Sequence, residues 1–201
     1  MLSLEEGKFL VKLARETIEK AFGNEQPKID DDKLTENLRE NRGVFVTLYK
    51  LVNKHEELRG CIGYPYPVLP LYEATMRSAI EAAFNDPRFP PLREKELEEV
   101  MIEVSALTKP KMVKAKDLDE LLSKIKLGRD GLIIERGWMK GLLLPQVPIE
   151  YKMTKKEFFY EACMKAGFVY DGDFKSIKVY TFQAEIFKEK EPKGEVIKLE
   201  F

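Results

Sequence analysis

The chain has 201 residues, enough for one large domain or one domain split into two lobes. Folding at this size buries roughly 70% of the unfolded chain's surface, so the core needs no disulfide or metal to hold it. Thirty-four Lys and Arg against 35 Asp and Glu leave a net charge of -1, which gives no global field to draw in nucleic acid or anionic lipid. Charged residues reach 34%, rich in Glu and Lys and poor in Asn and Gln. That is the composition of a protein working at high temperature, where ion-pair networks gain value. Two cysteines make no disulfide framework. The Met1-Leu2-Ser3-Leu4-Glu5-Glu6 start lacks the basic and apolar runs of a secretory signal. No window approaches 18 apolar residues. The expected location is cytoplasmic, with no membrane partner.

In chain order, Ser3 to Gly23 reads as an amphipathic helix with Ser3 and Glu6 as a capping box and Gly23 as its stop. Leu34 to Glu40 allows a short helix. Gly43 to Tyr49 is β-branched and aromatic, hence a strand. Asn53 to Glu57 is turn-like, and Leu58 to Gly63 is the returning strand of a hairpin. Leu71 to Phe84 has the Ala, Met and Ile content of a packed helix. Three prolines keep Asn85 to Leu92 irregular.

Val100 to Leu107 alternates, which predicts a strand with one buried face (Val100, Ile102, Val104, Ala106) and with Glu103 and Ser105 on its polar side. Asp117 to Ile125 is a short helix. Gly131 to Glu135 and Leu142 to Leu144 form a second hairpin across a Gly137 to Gly141 turn. Thr154 and Glu157 cap a helix that Gly167 closes. Lys178 to Phe187 is one final strand, and the tail after Pro192 is expected to be loose. Helices and strands mix without βαβ alternation, so the fold class is α+β, with mainly antiparallel sheet flanked by helices.

The densest chemistry lies at Leu58-Arg59-Gly60-Cys61-Ile62-Gly63. On a regular strand Arg59 and Cys61 point to the same face, with Cα atoms about 6.5–7 Å apart. A guanidinium there favours the thiolate and makes Cys61 a candidate nucleophile. Gly60 and Gly63 suit a bend or the close approach of a ligand. The plainer reading makes Cys61 a small buried hydrophobe. His55 is the only histidine, and six extended residues put it roughly 20 Å from Cys61, so no local Cys-His dyad is expected.

Asp86 and Arg88, stiffened by Pro87, are a second candidate pair, with a turn salt bridge as their plain reading. Gln146, just after Leu144-Pro145, and Glu150 are a third, against an ordinary strand exit. Glu103 can be an acid, a base or a solvent-facing side chain. Cys163, between Ala162 and Met164, reads as core.

Three Cys and His in total cannot make a four-ligand zinc site, so no metal is expected. No phosphate loop or nucleophile elbow appears, and no motif indicates a cofactor.

Leu58 to Gly63, Ala82-Ala83-Phe84-Asn85-Asp86-Pro87-Arg88-Phe89 and Gly141-Leu142-Leu143-Leu144-Pro145-Gln146-Val147 together resemble the AMMECR1 family. Ile102 to Ser105 and Cys163 to Gly167 match its pattern too, so the likeness runs in order over nearly the whole chain. Phe174 departs from it, standing where the family favours Trp.

The resemblance implies a single domain over residues 1–201 with two lobes, the larger holding both termini around an antiparallel sheet, and the named segments gathered at a cleft between them. It supplies no reaction. It leaves three readings. The first is an enzyme or enzyme component acting on a small or modified substrate around Arg59, Gly60 and Cys61. Asp86, Glu103 or Glu150 would then be acid or base, and Gly63, Arg88 and Gln146 further contacts. The second is an adaptor docking a Memo-like or radical-SAM protein. The third is a nucleic-acid binder, against which the near-zero net charge argues.

Overall fold

The computed structural model describes residues 1–53 and 55–199. The elements run α1 (Leu4–Phe22), α2 (Glu36–Arg39), β1 (Val44–Val52), β2 (His55–Tyr64), α3 (Leu71–Ile80), α4 (Glu94–Leu97), β3 (Val100–Leu107), β4 (Lys111–Met112), α5 (Leu118–Lys124), β5 (Gly131–Arg136), β6 (Met139–Leu143), α6 (Val147–Glu150), α7 (Lys155–Lys165), β7 (Lys178–Phe182), β8 (Ala184–Glu189) and β9 (Val196–Leu199). The fold is α+β, as the sequence predicts. The described residues form two compact units, one within 1–107 and 185–199 and the other of Thr108–Ala184.

The first unit is built on a five-stranded sheet in the order β2-β1-β3-β8-β9. β1 pairs antiparallel with β2 and β3, and β8 with β9. α1 and α3 pack on one face, where Leu10, Ile18, Val46, Leu48, Ile102, Val104 and Phe187 join one core.

α1 starts where expected. Ser3 Oγ accepts from Glu6 N (3.2 Å) and Glu6 Oε2 accepts from Ser3 N (2.7 Å), which occupies two of the N–H groups a helix start leaves without partners. Gly23 ends the helix at φ −92°, and the left-handed residue is Asn24 (φ 56°). Two buried ion pairs tie the face together. Arg15 donates to both oxygens of Glu189 (2.8 and 2.6 Å) and to Leu97 O and Val100 O. Arg42 donates to Glu185 (2.8 Å), which also accepts from Leu2 N.

Three sequence expectations change here. β3 is buried along all eight residues rather than on one face, so both faces of this central strand are covered. The final strand is two: β7 and β8 part at Gln183 and enter different sheets. The segment after Pro192 is ordered as β9, which extends the first sheet through Val196–Leu199.

The second unit carries a four-stranded sheet, β4-β7-β5-β6, with α5 and α7 closing a core of Leu121, Ile134, Phe158, Phe159, Cys163 and Val179. Phe174 joins that core as a partly buried side chain. Gly141 lets β6 lie against α7, since a Cβ there would stand 2.4 Å from Ala166 N. Among the described residues, no helix is long and apolar enough to cross a membrane.

Candidate functional site

The β1–β2 hairpin is irregular at the Arg59 position. Leu48 pairs with Gly60 and Tyr49 with Leu58, so Arg59 is an extra residue in β2. A bulge of this kind breaks the two-residue alternation and re-aims the side chain. Arg59 therefore does not act on Cys61 as regular spacing predicts. Its Nε and Nη2 donate to the two oxygens of Glu96 (2.7 and 3.1 Å), and Nη2 also to Pro90 O (2.9 Å). The guanidinium sits 5.8 Å from the Phe89 ring centroid and is buried. Such a bidentate pair fixes orientation as well as charge, and here it fastens β2 to the 86–96 segment.

The two glycines answer to the protein's own backbone. A Cβ on Gly60 would lie 2.2 Å from Ala82 O, and one on Gly63 would lie 2.2 Å from Val44 O. Ala82 belongs to a π-helical turn, Glu81–Asn85, that prolongs α3 and ends at Asp86.

Asp86 and Arg88 meet Cys61 through its main chain. Cys61 N donates to Asp86 Oδ2 (2.9 Å), and Arg88 Nη2 donates to Cys61 O (3.1 Å). Arg88 also donates to both Asp86 oxygens from Nε (2.9 Å) and Nη2 (2.7 Å). β2 is the edge of its sheet. An edge leaves alternate N–H and C=O groups without a strand partner, and this pair takes the place of one at Cys61. The Arg88 hydrogen bonds, opposed by burial and aided by the Cys61 and Arg88 N–H groups, hold the Asp86 carboxyl far below the usual range.

The Cys61 side chain belongs to a row across three strands. Thr47 stands opposite Cys61 in β2 and opposite Glu103 in β3. Thr47 Oγ1 donates to Cys61 Sγ at 3.3 Å. Burial raises the thiol pKa above its ordinary value. The Thr47 hydroxyl and the Arg88 charge oppose that rise, and the Glu103 and Asp86 charges add to it. The resting group at neutral pH is the protonated thiol. Glu103 and Thr47 are buried, Cys61 half-buried.

Gln146 and Glu150 lie in the second unit. Gln146 precedes α6, and its Oε1 is buried with no hydrogen bond among the described residues. Glu150 is exposed at the end of α6. The sequence candidates that hydrogen bonds bring together are Cys61, Asp86 and Arg88. His55 is exposed at the start of β2. Cys163 is buried in α7, and burial pushes its thiol up to about 12. Sequence reasoning missed Thr47 and Glu96. Thr47 is the one hydroxyl in the apolar Val44-Phe45-Val46-Thr47-Leu48 run, and its polarity there was the available signal. Glu96 carries no local signal, because only the bulge aims Arg59 at it.

The AMMECR1 family model matches residues 11–187. The chain is 48% identical to protein MJ0810 of Methanocaldococcus jannaschii over 198 residues, 98% of this chain and 96% of that one. It is 49% identical to protein MK0488 of Methanopyrus kandleri over 197 residues, 97% and 94% of the two chains. The crystal structure of PH0010 from Pyrococcus horikoshii superposes with a TM-score of 0.86 at 44% identity, covering 98% of each chain. With the match spanning most of its length, the chain belongs to the AMMECR1 family.

Proposed function

We propose that the first unit is the working part of an enzyme or enzyme component, acting on a small or modified substrate through the Cys61 thiol. The supporting observation is the Cys61–Thr47–Glu103 row. It sets a half-buried thiol, a hydroxyl donor and a carboxylate side by side on one sheet face. The chemistry is addition to a polarised double bond, in which the resting thiol gives up its proton as it attacks, because the thiolate is the nucleophile. The S–C bond forms, the π pair moves to the substrate's far atom, and the thiol proton ends on that atom. Glu103 lies beyond Thr47 on the same face and its charge reaches the thiol, so in this reading it takes up the proton by way of the Thr47 hydroxyl, as a general base does through one bridging group. No oxidant or metal enters the balance. Arg59, Asp86 and Arg88 position Cys61 and its strand, and are read as supports rather than as reacting groups.

The test is alkylation of the folded protein with neutral iodoacetamide over a range of pH, read by peptide mass spectrometry with Cys163 as the internal control. Cys61 is expected to label well ahead of Cys163, with a titration above the ordinary thiol value, and Cys61→Ser to abolish the signal. If Cys61 labels no faster than Cys163 at every pH, the reading is wrong.

A second reading, docking of a Memo-like or radical-SAM partner, draws on Leu51 and Leu58, which are 44% and 39% exposed beside one another's partners on the hairpin. It expects Leu58→Glu to weaken the complex while Cys61→Ser does not.

A further inference from the structure

The sheet face that carries Cys61 holds a second polar group that the thiol chemistry leaves unused. Lys188 of β8 is buried, 8% exposed, with its ammonium 4.2 Å from the Tyr49 ring centroid. Tyr49 follows Thr47 by two residues in β1, on the same face, with Cα atoms about 6.5–7 Å apart. Tyr49 stands opposite Leu58 on one side and Met101 on the other. Tyr49 and its two apolar neighbours thus form the row next to the thiol row.

A buried ammonium needs a counter-charge. Lys188 has one in Glu56, near the turn end of the hairpin. The two partners are unequal, since the Lys188 side chain is 10% exposed and that of Glu56 46%. A carboxylate held from the solvent side is weakly committed, and another carboxylate can replace it without leaving Lys188 uncompensated. Arg15 and Arg42 differ, because their carboxylates, Glu189 and Glu185, are as buried as they are.

We propose that Lys188 is the anion anchor of the Cys61 site, with Glu56 as an internal placeholder. The substrate is then a small unsaturated or aromatic acid. Its carboxylate displaces Glu56 from Lys188, its flat body lies along Tyr49, and its electrophilic carbon reaches Cys61. This rests on the thiol reading above and adds the substrate class to it.

The probes are para-(iodoacetamido)benzoate and its neutral amide counterpart, para-(iodoacetamido)benzamide. Rates of Cys61 labelling are measured for the wild type, Lys188→Met and Glu56→Gln at one alkaline pH, with glutathione as the free-thiol reference. The acid-to-amide rate ratio in the wild type is expected to exceed that of glutathione. Lys188→Met should lower it by roughly fivefold, the size of one ion pair. Glu56→Gln, at a half-exposed position, should raise it, and it carries the test if Lys188→Met fails to fold. A ratio equal in all the folded proteins, with Cys61 labelled by both reagents, overturns the anchor and leaves the thiol reading standing. If neither reagent labels Cys61 ahead of Cys163, both fall together.

Discussion

The two faces of the first unit's sheet handle charge in opposite ways. On the helix side, Val44, Val46, Leu48, Ile102 and Val104 pack against α1 and α3, and the charges beside them are closed off. Each guanidinium meets a carboxylate equally buried, and the remaining polar atoms reach main-chain groups such as Leu97 O, Val100 O and Leu107 O. On the other side, Thr47, Tyr49, Cys61, Glu103 and Lys188 stand on consecutive strands, and the partner of Lys188 comes from a half-exposed position. Burial alone does not separate structural charge from charge available to a ligand. The burial of the partner does.

The sharpest test of that contrast is to remove one member from each kind of pair. Arg15→Ala strands Glu189 in the core and also frees Leu97 O and Val100 O. Breaking a buried pair from one side costs about 3–5 kcal/mol, so the unfolding free energy should fall by that much, read as a lower denaturant midpoint at an unchanged slope. Glu56→Gln removes a half-exposed partner and should change stability by no more than about 1 kcal/mol. Losses of equal size would mean that the two faces are equally structural.

A smaller effect is expected at the sheet edge. Asp86 is held ionised chiefly by Arg88 and by N–H groups of Cys61 and Arg88. Its folded pKa is depressed, so its contribution is present above the unfolded aspartate value of about 3.9 and is lost as pH falls through the range below it. Asp86→Asn should therefore destabilise by about 1.5–3 kcal/mol near neutrality, the scale of hydrogen bonds to a charged group. The gap from wild type should narrow as the solution is acidified. An equal gap at acid and neutral pH would show that the carboxylate's charge contributes nothing to the clamp.

Much of this fold was legible because its signals are local. The Ser3–Glu6 and Thr154–Glu157 boxes, the positive-φ Gly167, and the alternation of Val100 to Ala106 each fix an element within a few residues. The site was legible only in outline. The 58–63 and 86–88 segments do meet, but through the Cys61 main chain, which no side-chain pattern announces. One inserted residue decides the rest. The bulge at Arg59 sends the guanidinium to Glu96, and cross-strand register, which the sequence does not print, puts Thr47 beside Cys61 and Glu103 beside Thr47. The break at Gln183 escaped for a related reason: the alternation of Lys178 to Phe187 runs through it unchanged while the strand's partners change.

The finest distinction concerns what tunes the thiol itself. Regular spacing would make Arg59 the residue that matters to Cys61, whereas the register makes it Thr47 and Glu103. Loss of the hydroxyl donor in Thr47→Val should move the Cys61 pKa upward, because a bond to the sulfur is removed while burial is kept. Glu103→Gln should move it downward, because a carboxylate that disfavours the thiolate becomes neutral. Arg59→Met should leave it in place, since that guanidinium is committed to Glu96 and Pro90. The pH dependence of iodoacetamide labelling in the three variants reads all of these against one wild-type curve. A shift with Arg59→Met and none with Thr47→Val or Glu103→Gln would return the thiol to a regular strand and remove the basis for the three-strand row.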